Sequence, residues 1–486
     1  MKFLGLDVGT TRMKCGVYNE KGVLEYQSSV DYGELHSEKE SYIDIDAICS
    51  SAFALLKKAY QNCPFDSIAI SSLGESFVLL DQKDNVIFYP MLYTDPRGKA
   101  EADEQMKNAE KIFSVSGVYP QGMYSAYKLL WIKKNRPNIY KEADKVLLVN
   151  EYISYKLTGI RAIDYSQAAR TGLFDVREKK FSGELCDLFG IDKALFSPAV
   201  PSGTIIEKVK NDVAKEWGAD KPVFVVAGGH DQVCATLGSG VTKAGDCSDG
   251  MGTVECLTAV YESPSCDGKM GEYGYPNVPF LDKLYCTYLL NYSCGSLTRW
   301  WLSTCFSEEE IKKGTAFEKI EKDFTDVPTG LLVLPYFAGA ATPYQNIEAK
   351  GAILNLTISD NPSKVYQGIL EGLCFEMKFN LETTKKFGIK PKKLIATGGG
   401  SASKKWLQIK ADVLGIPVYP LKVKEAGVCG AAILGASALL KEDINNVVKR
   451  FVKLERAIKP RKEIQKMYSQ EYKKYKKIYR VVKEFY

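Results

Sequence analysis

The sequence predicts an α/β protein built from two large domains that face each other across a cleft. Patterns typical of buried strands alternate with helical patterns, and the same glycine-threonine turn occurs once in each half of the chain. The length of 486 residues, with 45% hydrophobic content, is enough for two substantial cores. The repeated turn indicates that the two halves are built alike.

The first copy of the turn follows an apolar strand at the N-terminus. This strand ends near Asp7 and is followed by Gly9, Thr10 and Thr11, after which residues 12–17 alternate as a returning strand does. Glycine lets a backbone approach a ligand closely, and threonine hydroxyls and exposed amides can donate to phosphate oxygens. A carboxylate at Asp7 can hold a hydrated Mg²⁺. The segment therefore predicts a phosphate-binding hairpin.

The second copy lies at residues 249–253 and opens the second half. Two such hairpins facing each other would clamp one nucleoside triphosphate. An ordinary hairpin turn is the alternative for each copy taken alone. A P-loop is excluded because the Gly-Lys pairs at Gly98 and Gly268 lack the following Ser or Thr, and the spaced glycines of a dinucleotide fingerprint are also missing.

Between the two hairpins the pattern predicts further strands and helices. Strands are expected over 66–72, 146–149 and 223–227, with a helix over 127–135. A domain boundary is expected around 238–242, which gives domains at 1–243 and 244–486.

The third of these strands leads directly into a polar turn at 228–232, before a helical pattern. Ligands of open α/β sheets gather beyond the carboxyl ends of strands, where Asp231 would lie. A carboxylate there can take a proton from a substrate hydroxyl as a phosphoryl group arrives. The alternative is that Asp231 only caps the helix N-terminus.

Composition limits the remaining classes of function. The net charge of +6 comes from the tail, because residues 441–486 carry an excess of about nine positive charges. Tyr468, Tyr472, Tyr475, Tyr479 and Val482 recur there at helical spacing, so we expect an amphipathic closing helix rather than a nucleic-acid site.

Cysteine and histidine content indicate the cellular compartment and argue against two classes of active site. The 13 cysteines are scattered without C-x-x-C pairs, and no secretory or membrane-spanning apolar run occurs, so a cytoplasmic protein is expected. Only two histidines, His36 and His230, are present, which argues against a histidine-rich metal site or a Ser-His-Asp hydrolase.

Several short motifs carry a family resemblance when taken in order along nearly the whole chain. These motifs are Asp7-Val8-Gly9-Thr10-Thr11, Tyr93-Thr94-Asp95-Pro96-Arg97, Lys128-Leu129-Leu130-Trp131, Asp164-Tyr165-Ser166, Thr171-Gly172-Leu173-Phe174-Asp175, Gly229-His230-Asp231-Gln232, Gly252-Thr253, residues 337–351, Gly398-Gly399-Gly400, Trp406-Leu407-Gln408 and Gly430-Ala431-Ala432. The chain resembles the FGGY carbohydrate kinases. The resemblance implies two actin-like (ribonuclease H-like) ATPase domains flanking a cleft, with ATP and Mg²⁺ between them and a sugar or polyol as substrate.

The resemblance also assigns roles to residues. Asp231 falls at the position of the family's general base, and Asp7 at that of the carboxylate that holds Mg²⁺ directly or through water. The positions that resemble phosphate-side and nucleotide-side contacts are Thr10, Thr11, Lys14, Gly252, Thr253, Gly339, Gly399, Gly400 and Ser403. A tight turn is the alternative for each glycine.

The substrate side is predicted at Gly74, Glu75, Tyr93, Asp95, Arg97, Asp231 and Gln232. Xylulokinases resemble one another in a Met-His pair at the position of Gly74-Glu75, and glycerol kinases in an Arg-Glu pair. A carboxylate at Glu75 suits the hydroxyls of a sugar and not an acid such as gluconate. A surface salt bridge for Glu75 and a structural ion pair between Asp95 and Arg97 are the alternatives.

The sequence therefore predicts an ATP-dependent kinase of a ketopentose such as xylulose, with glycerol, another polyol or a ketohexose as the alternative substrate. An actin-like ATPase without kinase activity and a catalytically silent sugar sensor are the alternatives from other classes. No nucleic-acid or membrane partner is expected, and a homodimer is left open.

Overall fold

The computed structural model of the protein describes residues 1–32, 42–281, 283–423 and 425–486. His36 lies outside these residues. Two six-stranded sheets dominate the fold, one in each half, and the α/β class predicted from the sequence is confirmed.

The first half, up to residue 238, contains thirteen strands, ten α-helices and two short 3₁₀ segments among its described residues. The strands are β1 (Lys2–Val8), β2 (Arg12–Asn19), β3 (Leu24–Asp31), β4 (Ser67–Ser72), β5 (Phe77–Leu80), β6 (Val86–Phe88), β7 (Lys145–Leu148), β8 (Ile163–Asp164), β9 (Phe174–Asp175), β10 (Lys180–Phe181), β11 (Ala199–Val200), β12 (Ile205–Lys208) and β13 (Phe224–His230). The helices are α1 (Ile45–Asn62), α2 (Lys99–Gln105), α3 (Ala109–Ser116), α4 (Ser125–Asn135), α5 (Pro137–Glu142), α6 (Val149–Thr158), α7 (Tyr165–Ala169), α8 (Gly183–Phe189), α9 (Asn211–Trp217) and α10 (Asp231–Gly238), with 3₁₀ segments at Met106–Asn108 and Lys193–Leu195.

The second half contains the remaining elements. Its strands are β14 (Asp246–Met251), β15 (Glu255–Tyr261), β16 (Val278–Phe280), β17 (Leu284–Asn291), β18 (Leu332–Leu334), β19 (Ala352–Leu354), β20 (Lys393–Thr397) and β21 (Val418–Pro420). Its helices are α11 (Gly268–Glu272), α12 (Gly295–Cys305), α13 (Glu308–Lys313), α14 (Thr315–Glu321), α15 (Pro362–Thr384), α16 (Lys404–Leu414), α17 (Ala426–Leu440), α18 (Ile444–Phe451) and α19 (Lys462–Val482), with 3₁₀ segments at Lys385–Phe387, Gly399–Ala402 and Lys483–Phe485.

Five strands of each large sheet follow the same order, which is β13-β4-β1-β2-β3 in the first and β21-β20-β14-β15-β17 in the second. The sixth strand lies at opposite edges, with β12 beside β13 and β16 beside β17. In each sheet the strand that leads into the glycine-threonine turn pairs antiparallel with the next strand on one side and parallel with a later strand on the other. The repeated turn in the sequence thus corresponds to a repeated hairpin in the structure.

Helix α17 comes late in the chain yet packs against the first sheet and α10. A β-carbon at Gly5 of β1 would lie 1.9 Å from the carbonyl oxygen of Val428, and one at Gly430 would lie 1.9 Å from that of Cys234. Only glycine permits such close backbone approach. The second half therefore contributes a helix to the first half's core, and the expected boundary at 243/244 stays a prediction.

Local boundaries differ slightly from the sequence-based expectations. The strand expected at 223–227 runs on to His230, the strand expected at 146–149 gives way to α6 at Val149, and the helix expected from Tyr127 begins at Ser125. In each case burial continues across the expected limit, so hydrophobic periodicity alone could not locate it.

The predicted closing helix is confirmed as α19. Tyr468, Tyr472 and Tyr475 are buried, and their hydroxyls donate to Glu371, Glu382 and Glu376 respectively. Tyr479 and Val482 are only partly buried. No helix among the described residues is long and apolar enough to cross a membrane.

Candidate active site

Asp231 stands where the parallel strand β13 ends and α10 begins. A chain of hydrogen bonds fixes this point: the backbone N–H of His230 donates to Ser166 Oγ at 2.9 Å, and Ser166 Oγ donates to Asp164 Oδ1 at 2.5 Å. Asp164 also caps α7 through the N–H of Gln167. The Asp164-Tyr165-Ser166 motif therefore serves to position the strand end that carries Asp231.

The contacts of Asp231 leave one of its carboxylate oxygens open. Oδ1 accepts from the N–H of Gln232 at 2.6 Å and lies 3.2 Å from His230 Nε2. Among the described residues Oδ2 has no hydrogen-bond partner, and the side chain is 40% exposed. The helix-cap alternative is wrong, because His230 occupies the cap position and Asp231 lies in the first turn.

The surroundings of Asp231 suit a proton acceptor. Partial burial, and next the negative charge of Asp7, raise the pKa of Asp231 to about 7. Burial and the positive charge of Arg170 hold the pKa of His230 well below its usual range, so this imidazole is neutral. Its Nδ1 lies 3.1 Å from the hydroxyl of Tyr288, which belongs to the second half. A carboxylate titrating near neutrality can take a proton at physiological pH.

Glu75 lies beside this carboxylate in a loop of constrained backbone. Glu75 has a φ of 60°, which is rare for a residue with a side chain, and it is only 2% exposed. A β-carbon at the preceding Gly74 would lie 2.9 Å from the His230 ring. Ser125 Oγ donates to the Glu75 carbonyl at 2.8 Å. The side-chain amide of Gln167 donates to the carbonyl oxygens of Ser72 and Leu73, which precede this loop.

The partner of Glu75 is Arg170, a residue that the sequence reasoning missed. Arg170 Nε donates to Glu75 Oε1 at 2.5 Å, and a terminal nitrogen of the same guanidinium, Nη2, also contacts Oε1. The guanidinium packs over the rings of Tyr124 and Tyr288 at 5.0 and 5.8 Å. Both charged side chains are buried, so the surface salt-bridge alternative is wrong. Arg170 directly precedes the motif at 171–175 that carries part of the family resemblance, and this position was the signal in the sequence that could have identified it.

Tyr93 lies near both Asp231 and Glu75. Its side chain is 42% exposed, and burial followed by the charges of Asp231 and Glu75 raises the pKa of its phenol. Asp95 is engaged by Arg97 through both oxygens, at 2.9 and 2.6 Å, as in the structural ion-pair alternative. Lys128 supports the same loop from α4 by donating to the carbonyl of Leu92.

The first glycine-threonine turn opens into a cavity of about 520 Å³. Asp7 contributes to its wall and accepts from Ser71 Oγ at 2.6 Å, and burial raises the Asp7 pKa while Ser71 and then Lys14 oppose the shift. Lys14 Nζ lies 2.7 Å from Glu425 Oε2, just before α17. The remaining wall is formed by Gly9, Thr10, Thr11, Arg12 and Asp31. Carboxylate, hydroxyls and ammonium at one opening form a donor set that fits a metal-bound polyphosphate.

The second turn is exposed, leads into β15 and contacts the start of α12. Gly252 and Thr253 lie at its tip, where the N–H of Gly295 donates to the Gly252 carbonyl at 2.9 Å. Gly339, by contrast, is buried: its φ is 88° and a β-carbon there would lie 2.9 Å from Ile347, so the tight turn alone explains this glycine.

The glycines after β20 differ from one another. Gly399 is exposed, and a β-carbon there would meet nothing within 4 Å, whereas one at Gly400 would lie 2.7 Å from Trp406. The Ser403 hydroxyl accepts from the N–H of Trp406 and so caps α16. Gly399 is thus the member of this group whose backbone is open to a ligand. Among the described residues no cluster of three or more His, Cys, Asp or Glu could hold a metal unaided.

Comparison with known proteins decides the family. The N-terminal domain of the FGGY family of carbohydrate kinases matches residues 2–238, and the C-terminal domain of the same family matches residues 250–439. The chain belongs to the FGGY family of carbohydrate kinases. It is therefore a sugar kinase that uses ATP and acts on a small molecule, and the family resemblance and the two-domain actin-like class expected from the sequence are confirmed.

Individual relatives span nine-tenths or more of this FGGY chain. Xylulose kinase of Bacillus subtilis is 26% identical over 497 residues, covering 100% of this chain and 98% of the relative. Gluconokinase of the same organism is 25% identical and covers 90% of this chain and 88% of its own length. The crystal structure of a xyloylose kinase from Brucella ovis shares the fold, with a TM-score of 0.91, 23% identity and complete coverage of both chains.

Proposed function

We propose that this FGGY kinase transfers the γ-phosphoryl group of ATP to a hydroxyl of a ketopentose such as xylulose. The observation that carries the proposal is the open Oδ2 of Asp231, a carboxylate with a pKa of about 7 beside the neutral His230. The similarity to xylulose kinases over the full length supports the choice of sugar.

In the proposed reaction Asp231 acts as general base. Oδ2 accepts the proton of the sugar hydroxyl while the hydroxyl oxygen forms a bond to the γ-phosphorus and the bond to the β,γ-bridging oxygen breaks, which releases ADP. Neutral His230 adds no positive charge that would lower the basicity of Asp231. The His230 and Gln232 contacts on Oδ1 hold the carboxylate in one orientation.

Glu75 is proposed to select the sugar. The described contacts of its carboxylate all use Oε1, so Oε2 is available to accept from a substrate hydroxyl. Arg170 fixes the Glu75 carboxylate through its contacts with Oε1, while Tyr93 offers a hydroxyl and an aromatic wall. With Arg170 adjacent, the carboxylate is less repulsive toward an acid than the sequence alone suggested, so gluconate belongs in the test panel.

The nucleotide phosphates are proposed to bind between the two hairpins, at Thr10, Thr11 and Lys14 on one side and Gly252 and Thr253 on the other. Bound Mg²⁺ would be held by Asp7 and would supply charge neutralisation at the phosphates. Lys14 must exchange its contact with Glu425 for phosphate or share the two. The exposed backbone of Gly399 is proposed to meet the nucleoside.

The assay that tests this proposal measures ADP formation with Mg·ATP against xylulose, ribulose, fructose, xylitol, glycerol and gluconate, and identifies each product by phosphorus NMR. The highest kcat/KM is expected for xylulose. A higher value for another sugar or polyol would replace the substrate while keeping the kinase. ADP formation that is independent of every added sugar would favour the actin-like ATPase alternative. The homodimer and the cytoplasmic location stay predictions.

A further inference from the structure

The second hairpin contains a buried cluster of three charged side chains. Asp249 lies on β14 and Glu255 on β15, and the strand pairing puts both on the face that meets α16. Lys410 reaches in from α16, and its Nζ contacts Asp249 Oδ2 and Glu255 Oε1. All three side chains are 0% exposed.

The setting of the cluster differs from that of Asp7 in the first half. Asp7 lies two residues before Gly9 of its turn, whereas Asp249 lies three residues before Gly252, and an offset of one residue along a strand puts a side chain on the opposite face of its sheet. Asp7 borders the cavity of the first turn, whereas Asp249 is sealed and engaged by an ammonium group. The second carboxylate therefore cannot reach a metal or phosphate and must act through the hairpin that it belongs to.

The charges of the cluster do not balance unless a proton is present. Two carboxylates face one ammonium, and a net charge buried without compensation is strongly unfavourable. Asp249 Oδ1 and Glu255 Oε2 are both buried without a hydrogen-bond partner, and the two carboxyl groups lie within hydrogen-bonding reach of each other, so a proton on Glu255 can be donated to Asp249. The thiols of Cys247, Cys256, Cys294 and Cys374 surround the cluster, and burial raises the pKa of each, so they add no charge.

Lys410 links two elements that lie on the nucleotide side. Helix α16 begins at Lys404, directly after the turn at 398–402, and the two strands of the hairpin lead to Gly252 and Thr253. The turn and the hairpin also touch directly: a β-carbon at Gly398 would lie 2.8 Å from the Met251 carbonyl oxygen. A change at Lys410 would therefore loosen both elements together.

We propose that Lys410 is a positioning residue which, held by Asp249 and a protonated Glu255, locks the second glycine-threonine hairpin to the 398–402 turn as one preformed nucleotide-binding surface. This inference rests on the proposed nucleotide site. Preformed binding groups lose less conformational freedom when a ligand binds, so the lock should act on nucleotide affinity and not on the sugar.

Three variants separate this role from a general effect on stability. Glu255→Gln copies the protonated carboxyl and keeps the lock. Lys410→Met removes the link, and Asp249→Asn with Lys410→Met removes it while leaving one carboxyl that can stay neutral, so this double variant folds even where the single variant does not. Lys404→Met, at an exposed position of the same helix, is the matched control.

The measurements are ADP binding in the presence of Mg²⁺ and xylulose binding, both by calorimetry, with melting temperatures for each variant. We expect Glu255→Gln and the control to bind ADP within about twofold of wild type, and the double variant to lose about tenfold or more, as when a group behind a ligand-binding residue is removed. Sugar affinity should stay unchanged. Wild-type affinity for ADP in the double variant, or equal losses for ADP and sugar, would overturn the inference, whereas a wild-type protein that does not bind ADP would overturn the proposed nucleotide site itself.

Discussion

Arg170 Nε donates to Glu75 Oε1 at 2.5 Å, and the pair is buried beside the carboxylate of Asp231. The charge of Arg170 contributes to the low pKa of His230 and opposes the rise in the pKa of Asp231. One arginine therefore fixes the proposed sugar-binding carboxylate and also tunes the proposed general base.

Glu75→Gln should lower kcat/KM for the preferred sugar by a factor of about 10 to 100. The amide keeps the size of the side chain but removes a charge-assisted hydrogen bond worth about 1.5 to 3 kcal/mol. The loss should be smaller for a polyol that lacks the matching hydroxyl. The measurement is the specificity constant for each sugar of the panel. Because the change removes the buried carboxylate partner of Arg170 and should lower the melting temperature, the assays are run below the melting temperature of the variant. An equal factor for every sugar would remove Glu75 from sugar recognition.

The pH dependence of kcat/KM should follow the ionisation of Asp231. A general base must be deprotonated, so the rate constant should rise with pH and level off above an apparent pKa near 7. Nucleotide binding measured over the same range serves as the control and should change little. A profile that is flat between pH 5 and about 9 would contradict the assignment of this carboxylate.

Asp7→Ala should raise the Mg²⁺ concentration needed for half-maximal rate and should lower kcat. The reason is that the metal neutralises charge as the phosphoryl group transfers. Thr10→Val should raise the KM for ATP more than that for sugar, since the hydroxyl is expected to donate to phosphate. Steady-state kinetics with each substrate and the metal varied in turn check both changes. An effect confined to the sugar KM would place this hairpin away from the phosphates.

The sequence predicts the repeated hairpins and the site of Asp231 because both depend on local patterns. An apolar strand, a glycine turn and a returning strand are visible within a dozen residues, and the position of Asp231 follows from one strand and the helix after it. The family motifs additionally allow the fold of the two halves to be predicted.

The rest depends on contacts between distant parts of the chain. Arg170 meets Glu75 across 95 positions, Lys410 meets Asp249 across 161, and Gly427 of α17 lies so near Asp7 that a β-carbon there would be 3.1 Å from the carboxylate. Periodicity and spacing in one sequence contain no information about such pairs. For the same reason the sequence left open whether Glu75 and Asp95 are partnered.

Asp231→Asn should raise the melting temperature at pH 8 and should leave it nearly unchanged at pH 4. The pKa of Asp231 is raised in the folded state, so its ionisation costs the native protein stability that is lost progressively as pH rises from about 4 to about 7. An amide has no charge to bury. Asp103→Asn, at an exposed position where the carboxylate pairs with Lys99, is the control for the loss of one surface negative charge. A lower melting temperature for Asp231→Asn at pH 8 would show that the charge stabilises the fold.

The most direct test of the proposed mechanism is the turnover of Asp231→Asn with saturating xylulose and Mg·ATP, combined with ADP binding by the same protein. We expect kcat to fall by about a hundredfold to ten-thousandfold, the usual effect of losing a general base, while ADP affinity and cooperative unfolding are retained. Turnover within a few-fold of wild type by a folded variant would contradict the assignment of Asp231 as the group that takes the proton from the sugar.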